Sequence, residues 1–262
     1  MDGREFSLGL ARGNRNTPRW VNVVKPITML RETSQSLRLL LNGHAVRFAD
    51  YPAVASYFNL MPDASFQLNF APCSPVRLYC GGNGPRALAV GGACMDGIIF
   101  GGTFQAVART GRMDALMHIA EDAAVQSGHA PLRKVAEIKL SVSSDARAAR
   151  EFVKHSVARR IVALREDGYS DDDYRKLAID SCDIDRLQVS ERKSGDFDLA
   201  LVTDGMIDAL FITGSPAECR EKLAQVTRMA AHHGFHQLMF SELGPDLDQG
   251  LRLLCDRILP SL

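Results

Sequence analysis

The stretch VRLYCGGNGPRALAVGGACMDGIIF, Val76 to Phe100, reads as a strand, a glycine turn, a helix and a second strand. Glycine weakens strands and helices alike, so its concentration at Gly81, Gly82 and Gly84 asks for a reason. It is tolerated where backbone turns sharply or comes close to a ligand. Pro85 follows at the first helical position, which has no amide hydrogen bond to lose. The free amides of that turn, with the positive end of the helix dipole, form a pocket suited to phosphate. Arg86 adds a charged donor. The other reading is an ordinary βα connection that uses glycine to pack tightly.

Working outward, five segments read as buried strands: Phe6 to Leu10, Val76 to Cys80, Gly97 to Phe100, Val135 to Val142 and His236 to Phe240. Helical patterns run from Pro26 to Asn42, Pro85 to Cys94, Phe104 to Gln126, Asp145 to Arg165, Pro216 to His233 and Leu247 to Leu259. Strands alternating with helices predict an α/β fold with parallel pairing and right-handed crossovers. Ala45 to Pro72 reads as an insertion with a small hairpin and a candidate lid. Glu166 to Asp198 is charged and loop-rich with short helical pieces, and its run Asp171 to Asp173 reads as a solvated helix start. No linker or internal repeat stands out, so residues 1–262 read as one domain.

The 262 residues suffice for a substantial core. Basic and acidic residues number 31 each, a balance that argues against a nucleic-acid or anionic-membrane partner. No apolar run is long enough to span a bilayer and the first residues lack a signal peptide's apolar stretch, which predicts a cytoplasmic protein. The six cysteines are scattered, with no spacing of a zinc site or a redox dithiol; they read as buried or half-buried thiols, and no metal is expected.

The order FSLGLARGN, PITMLRETSQSLRLLLNG, VRLYCGGNGPRALAVGGACMDGIIFGG and FITGSPAECREKLAQVTRMAAHHGFHQLMFSELGPD resembles the bacterial luciferase-like flavin- and F420-dependent oxidoreductases, a family that includes methylenetetrahydromethanopterin reductase. The likeness covers nearly the whole chain. It implies a TIM-barrel-type fold with insertions. It also implies that Arg12 and Gly13 match the family's Arg-Gly beside the flavin phosphate, and that Gly81, Gly82, Asn83, Gly84 and Pro85 match the turn that receives the phosphate or its nearby chain. This agrees with the helix-terminus argument and with the rule that barrel enzymes work at the C-terminal ends of their strands. Arg15 could take the place of Arg12, and Asn14 could face the ring.

A closed barrel of this type needs eight strands, and the sequence offers five, about the last five βα units by resemblance. The expectation is an incomplete barrel whose gap reflects a longer parent chain, a homodimer mate or partner chain, or a decayed pocket. An intact site implies hydride transfer between F420, with FMN as the alternative, and a small organic substrate. F420 is preferred because the GPRAL to DG block looks more like the F420-using branch. No general acid or base can be assigned. The rival reading is a non-catalytic flavin-binding or accessory subunit with a truncated barrel. A third, an unrelated doubly wound protein with a nucleotide at the turn, lacks both GxGxxG and the P-loop Lys-Ser/Thr.

Overall fold

In the computed structural model, which describes residues 5–13, 24–70, 72–129 and 131–262, the strand, turn, helix and strand of residues 76–100 form as the glycine and proline punctuation dictates. The chain divides into two compact units, Met1–Gly101 with Asp114–Val135 and Gly102–Met113 with Ala136–Leu262.

The first unit opens with β1 (Phe6–Ala11) and α1 (Pro26–Leu41), the latter started by Pro26 and followed by Gly43 at φ +80°. The insertion forms β2 (Val46–Arg47), α2 (Pro52–Tyr57) and β3 (Ser65–Phe66), with β2 and β3 paired as the expected antiparallel hairpin. It rests on α1. The Glu32 carboxylate of α1 accepts from the amides of Ala53 (2.7 Å) and Val54 (3.1 Å), satisfying the free donors at the start of α2. Next come β4 (Val76–Gly81), α3 (Pro85–Cys94) and β5 (Gly97–Phe100), with β1, β4 and β5 parallel in that order. Leu78, Leu88, Val90, Ile98 and Phe100 are fully buried at the centre of this layer.

Two adjacent glycines in α3 are explained by contact on both of its sides. A Cβ on Gly91 would stand 2.5 Å from Ile98 Cδ1 and 2.7 Å from Cys80 Cβ, on the strands. On Gly92 it would stand 2.0 Å from the Ala120 carbonyl oxygen, on the next helix but one. The region read as one helix from Phe104 to Gln126 is two, α4 (Phe104–Arg109) and α5 (Met113–Gln126), because Gly111 turns at φ +77° between them. It is α5 that meets α3 at Gly92.

In the second unit, β6 (Arg133–Val142, counted from Ala136) is followed by α6 (Ala146–Glu166), α7 (Asp171–Lys176), α8 (Ser181–Ser194), α9 (Asp204–Leu210), β7 (Phe211–Gly214), α10 (Pro216–His232), β8 (Gln237–Ser241) and α11 (Leu247–Leu253). β7 pairs parallel to β6, Lys139 opposite Phe211, and β8 also pairs with β6. The described residues therefore hold six main strands rather than five. β7 escaped the sequence reading because α9 runs into it without a glycine or proline, the apolar residues Ala209 to Ile212 bridging the end of one and the start of the other.

The charged segment 166–198 is also more regular than expected. Ser170 and Asp173 form a capping box at α7, and the Asp180 carboxylate accepts from Cys182 at the start of α8. Only Ile184 and Leu187 of α8 are buried, which hid its apolar period; Arg165 ties it to α6 through Asp185. Asp171 to Asp173 do form a helix start. Three cysteines, Cys73, Cys182 and Cys255, are exposed rather than buried, Cys73 in the loop before β4 and Cys182 in the first turn of α8. No helix among the described residues is long and apolar enough to cross a membrane.

α10 shows how much a cap contributes here. The Ser215 hydroxyl accepts from the Glu218 amide, while the Glu218 carboxylate accepts from both the Ser215 hydroxyl and amide at 2.7 Å, bonds that hold the Glu218 carboxyl below its usual range. Ser215→Ala is expected to lower stability by about 1 kcal/mol in urea denaturation, and Ser215→Asp to recover most of it. Equal stability of wild type and alanine variant would show the cap idle.

Candidate functional site

The parallel register of β1 and β4 sets Ala11 opposite Gly81, so both chains leave their strands side by side at the C-terminal end. Arg12 and Gly13 continue β1, both exposed, with Gly13 at φ +85° turning the chain away. Gly82 to Arg86 continue β4. Strand pairing thus brings together two groups of candidates some 70 positions apart in sequence. Asn14 and Arg15 lie outside the described residues.

Within the turn the glycines differ in purpose. Gly82 donates its amide to Ile99 O (3.3 Å), and a Cβ there would stand 3.1 Å from Ala87 Cβ, a tight contact that favours glycine. Asn83 bonds the next loop: Oδ1 accepts from the Gly101 amide at 2.8 Å and Nδ2 donates to its carbonyl at 3.4 Å. Its carboxamide fixes the ends of β4 and β5 together. Gly84 is the N-cap of α3, in extended backbone (φ −83°, ψ 146°), and a Cβ added to it would meet nothing within 4 Å. Neither packing nor backbone conformation requires glycine there.

α3 shares with α1 and α4 the lack of a side-chain cap, and differs in this from the helices of residues 146–253. Asp145, Ser170, Asp180, Thr203, Ser215 and Asp246 each place a side-chain oxygen on the first amides of α6 to α11. No side chain caps α3, whose start holds Gly84, Pro85 and the exposed Arg86. The amides of Ala87 and Leu88 both turn back to Gly84 O at 3.0 Å, so the Arg86 amide and the positive helix end are what the exposed start of α3 offers, at the strand end where Arg12 also follows β1, an arrangement that suits an anionic group. Behind it, the buried Cys80 thiol donates to Ala87 O (3.4 Å), and burial pushes it up to about 11, so it is no nucleophile.

The sequence reading passed over a second polar cluster, in the other unit. Glu137 and Lys139 alternate along one face of β6, a spacing visible in VAEIKLSV. Glu137 accepts from the Ser241 hydroxyl (2.8 Å) and the Gly102 amide (3.1 Å). Lys139 pairs with Glu242 and lies 5.1 Å from the centre of the Phe211 ring. Glu242 and Leu243 sit at φ +73° and +39°, a conformation side chains of this size seldom adopt.

A family model described as luciferase-like monooxygenase matches residues 1–233. The whole chain aligns over 272 residues with a 5,10-methylenetetrahydromethanopterin reductase of Archaeoglobus fulgidus at 25% identity, covering 75% of that protein. The coenzyme F420 dependent tetrahydromethanopterin reductase from Methanopyrus kandleri superposes with a TM-score of 0.68 at 19% identity, over 97% of this chain and 73% of that one. The oxygenating constituent of 3,6-diketocamphane monooxygenase from Pseudomonas putida, in complex with FMN, gives 0.52 at 15% identity, over 97% and 71%. At such identities the two structures speak for the fold, the luciferase-like TIM-barrel class implied by the strand order. On the match over residues 1–233, the chain belongs to the luciferase-like monooxygenase family.

Proposed function

We propose that the chain is an F420-dependent oxidoreductase that moves hydride between the cofactor and a small organic substrate. The observation that supports this reading is the register of β1 and β4: Ala11 lies opposite Gly81, so Arg12 follows β1 at the same strand end from which β4 leads to the start of α3, which no side chain caps. The amides at the start of α3 and the Arg12 guanidinium would hold the cofactor phosphate, and Gly84 leaves room for it to approach. Bound F420 supplies the hydride-carrying ring, while the protein binds and orients it. F420 is preferred to FMN because the two reductases, one aligned along the whole chain and one at the higher TM-score, are of the methanopterin type, the second named as F420 dependent.

Fluorescence titration of the purified chain with F420, and separately with FMN, tests this. Saturable F420 binding is expected, weakened about tenfold or more by Arg12→Ala, as for loss of a charge-assisted contact. Folded protein that binds neither cofactor would sink the reading. A second reading, a flavin-binding accessory subunit, is favoured by β1 having β4 as its one partner among the described strands. It predicts binding without turnover until a partner chain is added.

A further inference from the structure

Within the second unit, α6 and the start of α9 leave a cavity that neither the cofactor reading nor the cluster on β6 uses. Its volume of about 480 Å³ falls within the roughly 300–1,000 Å³ of small-molecule sites. Arg147, Arg150 and Lys154 line it from α6, at intervals of three and four residues that put all three on one helix face. Val202, Asp204 and Ile207 form the facing wall, and Glu151 stands beside Lys154.

Charged residues along a helix usually make a solvated face and nothing more. Here one cation is fixed in advance and two are left for a ligand. Arg150 donates from Nε and Nη2 to Asp204 Oδ1 at 2.9 and 2.6 Å, and from Nη1 to Thr213 Oγ1 at 3.2 Å and Asp208 Oδ1 at 3.4 Å. Its guanidinium is thereby held at one point, 23% exposed, and Lys222 meets Asp208 as well, at 2.9 Å. Arg147 is exposed, and its guanidinium has no partner among the described residues. Lys154 pairs with Glu151 at 2.7 Å, three positions away on the same helix, a contact whose exchange costs little. The lining thus carries three cations against two carboxylates, in a chain with 31 residues of each sign. The first amides of α6 play no part, since the Asp145 carboxylate takes them.

We propose that this cavity binds a small organic anion, with a carboxylate or phosphate head on a compact apolar body. The head meets Arg147, whose planar fork suits either group, and draws Lys154 away from Glu151. The body lies against Val202 and Ile207 of the facing wall. A bare inorganic ion would leave most of the volume unfilled. With Arg150 already fixed by Asp204 and Thr213, part of the cost of ordering the site is met before the ligand arrives.

Calorimetric titration of the full chain with phenyl phosphate, and separately with benzoate, reads the binding, and hydrogen exchange places it. Saturation by at least one of them is expected, with a dissociation constant of about 0.1–1 mM. Protection should rise at residues 146–154 and 202–207. Binding of phenyl phosphate alone assigns the cavity to phosphate esters, and of benzoate alone to carboxylates. The Arg147→Ala, Lys154→Ala double variant is expected to weaken binding about tenfold or more. Arg220→Ala, the loss of an exposed cation of α10, should leave it unchanged, as should Arg12→Ala, which bears on the cofactor reading instead. Circular dichroism melting checks that the variants fold; Arg150 stays in place because it ties α6 to α9 and β7. Failure of both anions to saturate by about 10 mM overturns the proposal. So does binding that the double variant retains, that adds no protection at residues 146–154, or that neutral benzyl alcohol matches.

Discussion

Gly92→Ala will cost about 3 kcal/mol of stability or more, a large effect for one added methyl group. The new Cβ would stand 2.0 Å from the Ala120 oxygen and 2.9 Å from its carbonyl carbon, both backbone atoms of α5, and 3.1 Å from Ala123 Cβ. A flexible neighbour could swing aside; a helix backbone cannot. α3 and α5 must separate, and the fully buried Leu88 and Val90 of α3 lose contact with the layer around them. Gly43→Ala is the useful comparison, because that glycine at φ +80° has nothing within 4 Å. Only its left-handed backbone resists a side chain, a penalty of about 1 kcal/mol. Urea denaturation of both variants tests the difference, and equal losses would mean that α3 and α5 do not approach this closely.

Gly84→Asp should separate folding from binding. The site is exposed, extended and open, so an aspartate fits without strain. Its carboxylate would accept from the Arg86 amide at the start of α3, as Asp145 accepts from Arg147 at the start of α6, raising stability by a few tenths of a kcal/mol, roughly the gain from glycine to a good cap. It would also put a negative charge where the cofactor phosphate is proposed to rest. F420 binding is expected to weaken about 10- to 100-fold, equivalent to about 1.4–2.8 kcal/mol. Fluorescence titration and urea denaturation of the same protein give both numbers. A more stable variant that binds F420 as well as wild type would move the phosphate elsewhere.

These two glycines also mark what was legible in the sequence. Pro85 to Cys94 and Gly97 to Phe100 form with the bounds their punctuation suggested, because proline and glycine act on their nearest neighbours. β7 was not legible, since nothing in residues 206–212 marks where helix gives way to strand. α7 and α8 were hidden for another reason: caps and ion pairs support them, and apolar periodicity is blind to both. The turn after β4 could be singled out from its glycines and proline as a candidate place for an anion. That Arg12 stands beside it follows only from the pairing of Ala11 with Gly81, a long-range fact. The bond from Asn83 to Gly101 and the cap that Glu32 lends to α2 are likewise contacts across distance, which no local pattern encodes.

Among the described strands β1 has β4 on one side and no second neighbour, and Phe6, Ser7, Gly9 and Ala11 are exposed along it. Every second peptide group of its outer margin is therefore offered, in fixed spacing, to any extended segment laid alongside. At its start Glu5 is held between Arg77 and Arg133, so a charged cluster guards the end where such a segment would begin to pair. β1 is in this sense half of a ladder, with its rungs already set.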